Sequence, residues 1–477
     1  MSEWVEEEFK TATFGDRRLL TRMRHIVASL AKSPKESLAA ALRGWAEVVG
    51  AYRFFNNLKV TTDKVMAPHR QALLERLKQH PRALVVQDTT ELDFTSKKKV
   101  QGSGPLSTTH RRGFFAHTQL VLTPERLPLG VLDTKIYART DEDHGKSAKR
   151  KQLPIEEKES YRWLQGYHKA CQLAEAAPGV EVISCSDQEG DIYEVFQAWH
   201  ERKQNHQVAA QWLIRCARDR NLCSPLNGKI RAAVQASPVL GHVSLDIKAK
   251  QQKKKIKGRS RVKIWRSARQ AVLEVRTKQV SLKPAYRIDR KLPVVTIQIV
   301  SVQELHPPAG EEPISWFLLT SLPVPDLHAC LDLIALYTAR WEIEVFHRVL
   351  KTGCRVEELQ LKKDQRIFLA VSLYMIVAWR VLYVMRLGRE CPELPCDVVF
   401  EEDEWQALWI IVHGEKALHK KPSLGEFVRK LAEFGGFLAR KSDGHPGPQA
   451  IWVGMARVRD FAFAWQHFGK GYFPGTY

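Results

Sequence analysis

Two aspartates stand where carboxylates often do chemistry, directly after short apolar runs. Asp88 follows the run 83–86, and Asp187 follows the run 180–184. Because ligand sites form outside the carboxyl ends of strands, we expect both side chains to project from strand ends that can lie side by side. Converging carboxylates repel unless a cation lies between them, and Mg²⁺ or Mn²⁺ suits such oxygen ligands. The alternative for a strand-end aspartate is a turn residue, and Asp191, a rival ligand, is expected to cap the next helix.

A third acid lies on a predicted amphipathic helix over 331–351. Its core stripe has helical 3,4 spacing and consists of Leu336, Ala339, Ile343, Phe346 and Leu350. One residue further on, about 100° around the helix, a second stripe consists of Tyr337, Arg340, Glu344, His347 and Lys351. Glu342 points about 200° away from Glu344, so it is set aside as a ligand. The alternative for this second stripe is a salt-bridged surface.

Together the three acids predict two-metal phosphoryl transfer. Asp88, Asp187 and Glu344 would hold two divalent ions about 3.5–4 Å apart. One ion would activate a water or a 3′-hydroxyl, and the other would stabilise the leaving oxygen at phosphorus. Arg340 and Lys351 flank the glutamate and would hold phosphates of the strand being cut. The predicted cofactor is Mg²⁺, for which Mn²⁺ can substitute.

The composition points to a polyanion as partner. The 477 residues include 74 Lys plus Arg and 53 Asp plus Glu, a net charge of +21. This excess favours DNA, RNA or an anionic membrane surface over a basic protein without such a partner. The hydrophobic share of 44% excludes a disordered chain.

Other features of the sequence argue against membrane insertion and secretion. The longest apolar run, 367–379, ends at Arg380 and falls short of the about 20 residues of a membrane span, so it predicts a buried helix. The N-terminus lacks the layout of a signal peptide. Eight scattered cysteines form no CxxC pair, which indicates reduced thiols in the cytoplasm.

The secondary structure predicted around the acids changes along the chain, from a helical region to an α/β core. Residues 1–62 are helical and basic, and Arg22 and Arg53 suit contacts with a DNA backbone, a solvated helix face being the alternative. An α/β core follows, with strands predicted over 114–122, 127–138 and 180–184 and helices over 155–177 and from near Asp191.

The predicted core is followed by a basic β region and a helical C-terminal region. Residues 217–315 are strand-rich, and 248–269 hold 11 Lys or Arg in 22 positions. We predict a β insertion that presents a basic ribbon apart from the core sheet, the alternative being a solvated loop. From about 388 the pattern is helical again.

The spacing of Tyr337, Arg340, Glu344 and Lys351 matches the YREK signature of the insertion-sequence 4 family of bacterial DDE transposases. The chain resembles this family over nearly its whole length, and most closely one of its cut-and-paste members. The other matching segments are Gly15-Asp16 with Arg17, Arg18 and Arg22, then 50–54, 88–90, Asp187 with Glu189 and Asp191, and 316–320. Two departures, Gln188 where the similar member has arginine and the denser basic run at 248–269, leave the end sequence and the target DNA open.

The resemblance implies a ribonuclease-H-like α/β core with a β-strand insertion, flanked by helical domains. The domains would be DNA-binding at 1–62, catalytic at 63–387 with the insertion at about 217–315, and dimerisation at 388–477. Asp88, Asp187 and Glu344 would be the metal-binding catalytic triad. The implied reaction is a nick, hairpin formation, hairpin resolution and strand transfer.

The resemblance also implies how DNA is held. Trp316 would stack on a base flipped out of the transposon end, while Tyr337, Arg340 and Lys351 hold the distorted strand and Arg215 lies near the active site. From the residues alone, Trp316 could equally be a core aromatic. The implied partners are double-stranded DNA (terminal inverted repeats and target) and a second copy in a paired-end homodimer, in the cytoplasm and associated with the bacterial nucleoid.

Two rival functions remain beside an active transposase. One is a DNA-binding regulator, such as an inhibitory or decayed copy, which keeps the basic surfaces but does not cut. The presence of all three acids argues against it. The other is a two-metal nuclease of the same fold with a different substrate.

Overall fold

The computed structural model describes residues 3–42, 44–97, 100–108, 110–141, 153–223, 228–247, 250–256, 259–287, 291–414 and 420–469. The chain forms two compact units. The first consists of Met1–Lys146 and Trp341–Tyr477, and the second of Ser147–Arg340. Helices and a mixed sheet are present, so the predicted α/β class is confirmed.

Among the described residues, the first unit begins with the helices α1 Glu3–Glu8, α2 Arg17–Lys32, α3 Leu38–Leu42, α4 Trp45–Phe55 and α5 Thr62–Leu77. The carboxylate of Asp16 accepts a 2.9 Å hydrogen bond from the backbone N–H of Arg18 and so caps α2. Residues of α2 at helical spacing, among them Met23, Ile26 and Leu30, are fully buried. The predicted helical character of 1–62 is confirmed.

In the part of the chain that the structure describes, the strands that follow in the first unit are β1 Arg82–Asp93, β2 Gly104–Pro105, β3 Arg112–Leu122 and β4 Pro128–Tyr137. β3 pairs antiparallel with β1, β2 and β4, which confirms the strands predicted over 114–122 and 127–138. The prediction that a strand ends just before Asp88 is wrong. β1 continues to Asp93 because the β-branched Thr89 and Thr90 extend its ladder with β3.

The helices of the second unit are α6 Tyr161–Ala176, α7 Tyr193–Gln204, α8 Ile230–Gln235 and α9 Leu327–Ala339. The helix predicted over 155–177 is a 3₁₀ turn, Ile155–Glu157, followed by the shorter α6. The strands are β5 Glu181–Ser186, β6 Gln211–Arg215, β7 Gly241–Ile247, β8 Lys250–Ile256, β9 Arg259–Arg266, β10 Arg269–Leu282, β11 Val295–Glu304 and β12 Ser315–Thr320. Along the sheet order β5-β6-β12-β11-β10-β7, β5 and β6 pair in parallel and the other neighbours pair antiparallel.

The β insertion is divided between the main sheet and a separate ribbon. β7, β10 and β11 continue the sheet of β6 and β12, so the prediction that the insertion stands apart from the core sheet is wrong for them. The apolar side chains of Ala271, Leu273 and Val275 explain this, because they alternate along β10 and are buried. β8 and β9 form a two-stranded sheet of their own, as predicted for the basic run instead of a loop. Residues 248–249 and 257–258 of that run lie outside the described residues.

The first unit is completed by α10 Glu342–Arg348, a π-helical turn Val349–Gly353, α11 Asp364–Glu390, α12 Glu402–His413, α13 Leu424–Phe434 and α14 Pro448–Ala464. By length and composition α11 could cross a membrane, but 89% of its apolar window is buried inside the protein. The predicted buried helix is therefore confirmed. It does not end at Arg380, whose guanidinium is buried, donates to the carbonyl of Val399 at 2.7 Å and lies 5.2 Å from the ring of Trp4.

Candidate active site

Asp88 is an interior residue of β1 in the first unit. It lies opposite Thr118 of β3, and its carboxylate accepts a 2.7 Å hydrogen bond from the N–H of Thr89. The helix α10 packs against β1. Asp88 on the strand and Glu344 on the helix are both half-buried. The structure thus brings together the two elements that carry these acids.

The single helix predicted over 331–351 is wrong. α9 ends at Ala339 and α10 begins at Glu342, and the boundary between the two units falls in the joint, between Arg340 and Trp341. At the joint the N–H of Arg340 bonds to the carbonyl of Tyr337 at 3.1 Å, three residues back instead of four. The apolar stripe keeps its spacing across the joint and is buried throughout, so periodicity alone could not show the break.

The joint divides the four residues of the YREK spacing between the units. Tyr337 and Arg340 belong to the second unit, and Glu344 and Lys351 belong to the first. Lys351 lies beyond α10 in the π-helical turn. The four residues are therefore divided among α9, the joint, α10 and the π-helical turn.

The two glutamates of α10 have different settings. Glu342 is only 1% exposed and binds Arg386, whose Nε donates to it at 3.0 Å. Glu344 is half-buried. The prediction that Glu342 is no ligand agrees with this ion pair, because a buried carboxylate neutralised by an arginine has little left for a metal.

Two further members of the predicted stripe have distinct environments. His347 is buried, and burial together with the charge of Lys351 lowers its pKa to about 3, so the imidazole is neutral at pH 7. Its Nε2 atom has no hydrogen-bond partner among the described residues. The ammonium of Lys351 lies 3.4 Å from the Oε1 atom of Glu357, so this member of the stripe has an acidic partner, and its role at the site stays a prediction.

Asp187 follows β5 in the second unit, as predicted from the apolar run before it. It is half-buried and caps a 3₁₀ turn, Gln188–Gly190, by accepting a 2.8 Å hydrogen bond from the N–H of Glu189. The carboxylate of Glu189 bonds to Arg162 at 2.7 Å. Asp187 is thus held by the turn that it caps.

Asp191 is 1% exposed and does not cap the next helix, so that prediction is wrong. Its carboxylate accepts hydrogen bonds from the N–H groups of Ala217 at 2.7 Å and Arg218 at 3.0 Å. It also forms a 2.5 Å ion pair with Arg220. The side chain therefore points inward to the segment after β6, and α7 begins beyond it at Tyr193.

Aromatic and cationic side chains gather on one face of the second unit. The ring of Trp316 packs edge-on against Tyr337, with centroids 5.9 Å apart, and the guanidinium of Arg340 lies 5.8 Å from the Tyr337 ring. Arg215 pairs with Leu318 across β6 and β12 and so shares the face of Trp316. Burial raises the pKa of Tyr337, against the opposing effect of the charges on Arg340 and Arg215. Trp316 is half-buried.

The two predicted DNA-binding arginines of the N-terminal helices differ in their partners. The guanidinium of Arg22 binds Glu47, which also lies 3.1 Å from the Nδ1 atom of His25. A Cβ at Gly50 would lie 2.6 Å from the Arg22 guanidinium carbon, so the missing side chain leaves room for the arginine beside α4. Arg53 is exposed on α4.

Three family models match the chain. Residues 1–60 match a transposase DNA-binding domain, residues 179–380 a transposase DDE domain, and residues 376–472 the Tn5 transposase dimerisation domain. The protein is a DDE transposase. The transposase has a ribonuclease-H-like core flanked by helical domains, acts on DNA and contains a dimerisation domain. The DDE match includes Asp187 and Glu344, while Asp88 precedes it.

The transposase belongs to a class of enzymes that depend on divalent metal ions. Its donor chemistry fits such an ion, because three half-buried carboxylates offer the hard oxygens that Mg²⁺ prefers. The neighbouring acids Glu342, Glu189 and Asp191 each bind an arginine. Among the described residues, no three His, Cys, Asp or Glu side chains form a group that could hold an ion. The site built from Asp88, Asp187 and Glu344 stays a prediction.

The sequence did not identify the partners of the predicted site residues in the transposase. Glu357 binds Lys351, Glu47 binds Arg22 and Arg220 binds Asp191. Glu357 and Lys351 are six residues apart in the sequence, which is not the three- or four-residue spacing of neighbours on a helix. They meet because the chain turns between them. The one usable signal was Gly50, whose missing side chain leaves the space that Arg22 fills.

Proposed function

We propose that this transposase excises and inserts its element by a cut-and-paste route. It nicks the transposon end, the freed 3′-hydroxyl attacks the opposite strand to form a hairpin, water opens the hairpin, and the 3′-end joins target DNA. One observation carries the proposal: α10 packs on β1, so the helix of Glu344 meets the strand of Asp88. Asp187 follows β5 in the second unit and would be the third ligand.

In this proposal Asp88, Asp187 and Glu344 hold Mg²⁺, for which Mn²⁺ can substitute. When bound, the ions activate the attacking oxygen and stabilise the leaving oxygen at phosphorus. Lys351 would bind a phosphate of the strand being cut as a point charge, and Arg340 would bind one with two N–H groups. Their charges offset the negative charge that three acids and a DNA strand bring to one site.

The aromatic and cationic face of the second unit would hold the distorted transposon end. Trp316 would stack on a flipped base, which recovers part of the stacking lost when the strand turns sharply into a hairpin. Tyr337 and Arg340 would hold that strand, with Arg215 beside them. The proposal is supported by the packing of Trp316 on Tyr337 and of Tyr337 on Arg340.

The proposed organisation follows from these roles. Residues 1–62 would bind the terminal inverted repeats through Arg22 and Arg53, residues 63–387 would cut, with the β insertion at about 217–315, and residues 388–477 would join two copies in a paired-end homodimer. The protein would be a YREK member of the insertion-sequence 4 family. It would act in the bacterial cytoplasm on nucleoid DNA.

The test uses linear duplex DNA that carries the inverted repeats flanking the gene, with Mg²⁺. Wild-type protein is expected to bind and cut at the repeat ends, and Glu344→Ala is expected to bind without cutting. The control is Glu189→Gln, a change of the exposed acid beside Asp187, which is expected to cut like wild type. Binding without cutting by wild type would show a regulator. Equal cutting by Glu344→Ala would refute the site, and equal binding to scrambled ends would favour a nuclease.

A further inference from the structure

Glu357 connects the lysine of the proposed site to the strand that carries Asp88. Its Oε1 atom lies 3.4 Å from the ammonium of Lys351. The same atom accepts a 2.8 Å hydrogen bond from the backbone N–H of Asp93, the last residue of β1. Both side chains of the ion pair are more than two-thirds buried. The position of the lysine is therefore tied to β1.

The backbone between the two residues directs Glu357 toward β1. Arg355 has a φ of 49°, in the left-handed region that residues other than glycine rarely adopt. The 3₁₀ turn Val356–Glu358 follows, anchored by the buried side chains of Val356 and Leu359. Conformations of this kind cost free energy and cluster at functional sites. Here the turn places one carboxylate at the end of β1.

The end of β1 is itself held in place. The carboxylate of Asp93 accepts hydrogen bonds from the N–H of Thr95 at 2.9 Å and from Nε of Arg111 at 2.8 Å. Arg111 also bonds to Glu91 at 2.7 Å. Glu357 is thus bound to a strand end whose neighbours restrain it, and it can hold the lysine at a fixed distance from that strand.

A lysine benefits from such an anchor more than an arginine does. Its ammonium ends a flexible four-carbon stem and carries three N–H donors. One donor directed to Glu357 leaves two for phosphate oxygens. A displacement of about 1 Å in a group that aligns substrate can cost about a hundredfold in rate, so an unanchored lysine would align the phosphate poorly.

We propose that Glu357 is a positioning residue for strand cleavage, which holds Lys351 where it meets the phosphate of the strand being cut. The proposal rests on the role proposed above for Lys351. Glu357 itself touches no DNA in this account. Its effect on the rate therefore depends on the presence of the lysine.

The test is a double-mutant cycle in the full-length protein. Glu357→Ala, Lys351→Ala and the double variant are compared with wild type for the single-turnover rate of cutting the inverted-repeat duplex with Mg²⁺. Binding of the duplex is measured by mobility shift and folding by thermal unfolding. Glu358→Ala is the matched control, because this neighbouring acid pairs with Arg355 at the surface. Glu357→Gln is the conservative variant, since its amide oxygen can still accept from Asp93 and Lys351.

If Glu357 positions the lysine, Glu357→Ala lowers the cutting rate about tenfold or more while duplex binding is nearly unchanged. Glu357→Gln recovers most of that rate, and Glu358→Ala cuts like wild type. In the Lys351→Ala background, the Glu357→Ala change has no further effect on the rate, because the group on which it acts is gone.

Three results would overturn the proposal. These are a wild-type rate for Glu357→Ala, an equal loss from that change with and without Lys351, and a wild-type rate for Lys351→Ala. Failure of the proposed function has a different signature. It would appear as no cutting by wild type or as full cutting by Glu344→Ala, and neither result depends on Glu357.

Discussion

Asp88 and Asp187 have the same proposed role, but the structure holds them in different ways. Asp88 lies inside a strand whose ladder with β3 fixes the backbone on both sides of it. Asp187 follows its strand and is held by the 3₁₀ turn that its own carboxylate caps. The strand positions Asp88 whatever its side chain does, whereas the carboxylate of Asp187 helps to form the turn that positions it. Substitutions at Asp187 therefore have to keep the cap if they are to report on chemistry.

The largest effect is expected from substitutions that remove the charge of Asp88 or Asp187 but keep the hydrogen bond that each side chain accepts. Asp88→Asn and Asp187→Asn should each lower the cutting rate about a thousandfold or more, because a metal ligand of a phosphoryl-transfer site is lost. Asparagine caps a turn about as well as aspartate, so both variants should unfold at nearly the wild-type temperature. Single-turnover cutting and thermal unfolding are the measurements. A loss of less than tenfold in either variant would remove that aspartate from the triad.

The next effect is a loss of stability and concerns Asp191, which lies four residues after Asp187. Asp191→Asn should lower the free energy of unfolding of the second unit by about 3–5 kcal/mol, because it leaves Arg220 buried without its counter-ion. Glu189→Gln, at an exposed acid, should cost at most about 1 kcal/mol. Denaturant unfolding of both variants checks the contrast. Equally small losses of unfolding free energy in both variants would show that the ion pair of Asp191 with Arg220 does not stabilise the second unit.

Glu8 is a buried acid of the first unit, and its setting predicts that the free energy of unfolding depends on pH. Glu8 accepts from Arg76 at 2.8 Å and lies 2.5 Å from the ring of His69. These partners hold its pKa at about 2, although burial opposes them. Because the pKa of Glu8 is lowered on folding, its stabilisation is full above about pH 4.5 and is lost as the pH falls toward 2.

The size of this effect follows from the pKa change. A pKa of about 2 in place of the ordinary 4.5 corresponds to about 3 kcal/mol. The unfolding free energy of wild type should therefore fall more steeply than that of Glu8→Gln between pH 4.5 and pH 2, in denaturant titrations at several pH values. Parallel curves for the two proteins would contradict the assignment.

The smallest effect concerns Arg22, which is held by the half-buried acid Glu47. Glu47→Gln should release Arg22 toward DNA and tighten binding of the repeat duplex up to about fivefold, since surface ion pairs contribute about 1 kcal/mol at most. Mobility shifts at one fixed salt concentration measure the change. Glu75→Gln, which lies outside the matched DNA-binding segment, is the control. Weaker binding by Glu47→Gln would mean that Glu47 orients Arg22 for the contact and does not compete with DNA.

Local pattern predicted the parts of the fold that local physics decides. The apolar runs located β5 with Asp187 at its end, and the 3,4 spacing located the buried stripe from Leu336 to Leu350. The same pattern missed the joint at Arg340, because a 3₁₀-type hydrogen bond interrupts the α-helical bonding without changing the spacing of apolar residues. It also ended β1 too early, because the strand is extended by its pairing with β3.

The settings of the acids could be predicted only in part. Helical geometry was enough to separate Glu342 from Glu344, since both lie on one short helix. The sequence favoured Asp187 over Asp191 as a ligand but wrongly made Asp191 a helix cap, because Arg220 and the backbone that binds Asp191 come from a segment about 26–29 residues away. The partner of an acid is a property of the tertiary structure, and that partner decides whether the acid is available to a ligand.

The central claim is that Asp88, Asp187 and Glu344 together hold divalent metal in the DNA-bound transposase. Its most direct test is Mn²⁺ binding to the protein–duplex complex, followed by electron paramagnetic resonance. Wild type should bind two ions per active site, and Asp88→Asn, Asp187→Asn and Glu344→Gln should each lose at least one. Wild-type Mn²⁺ binding by all three variants would contradict the account.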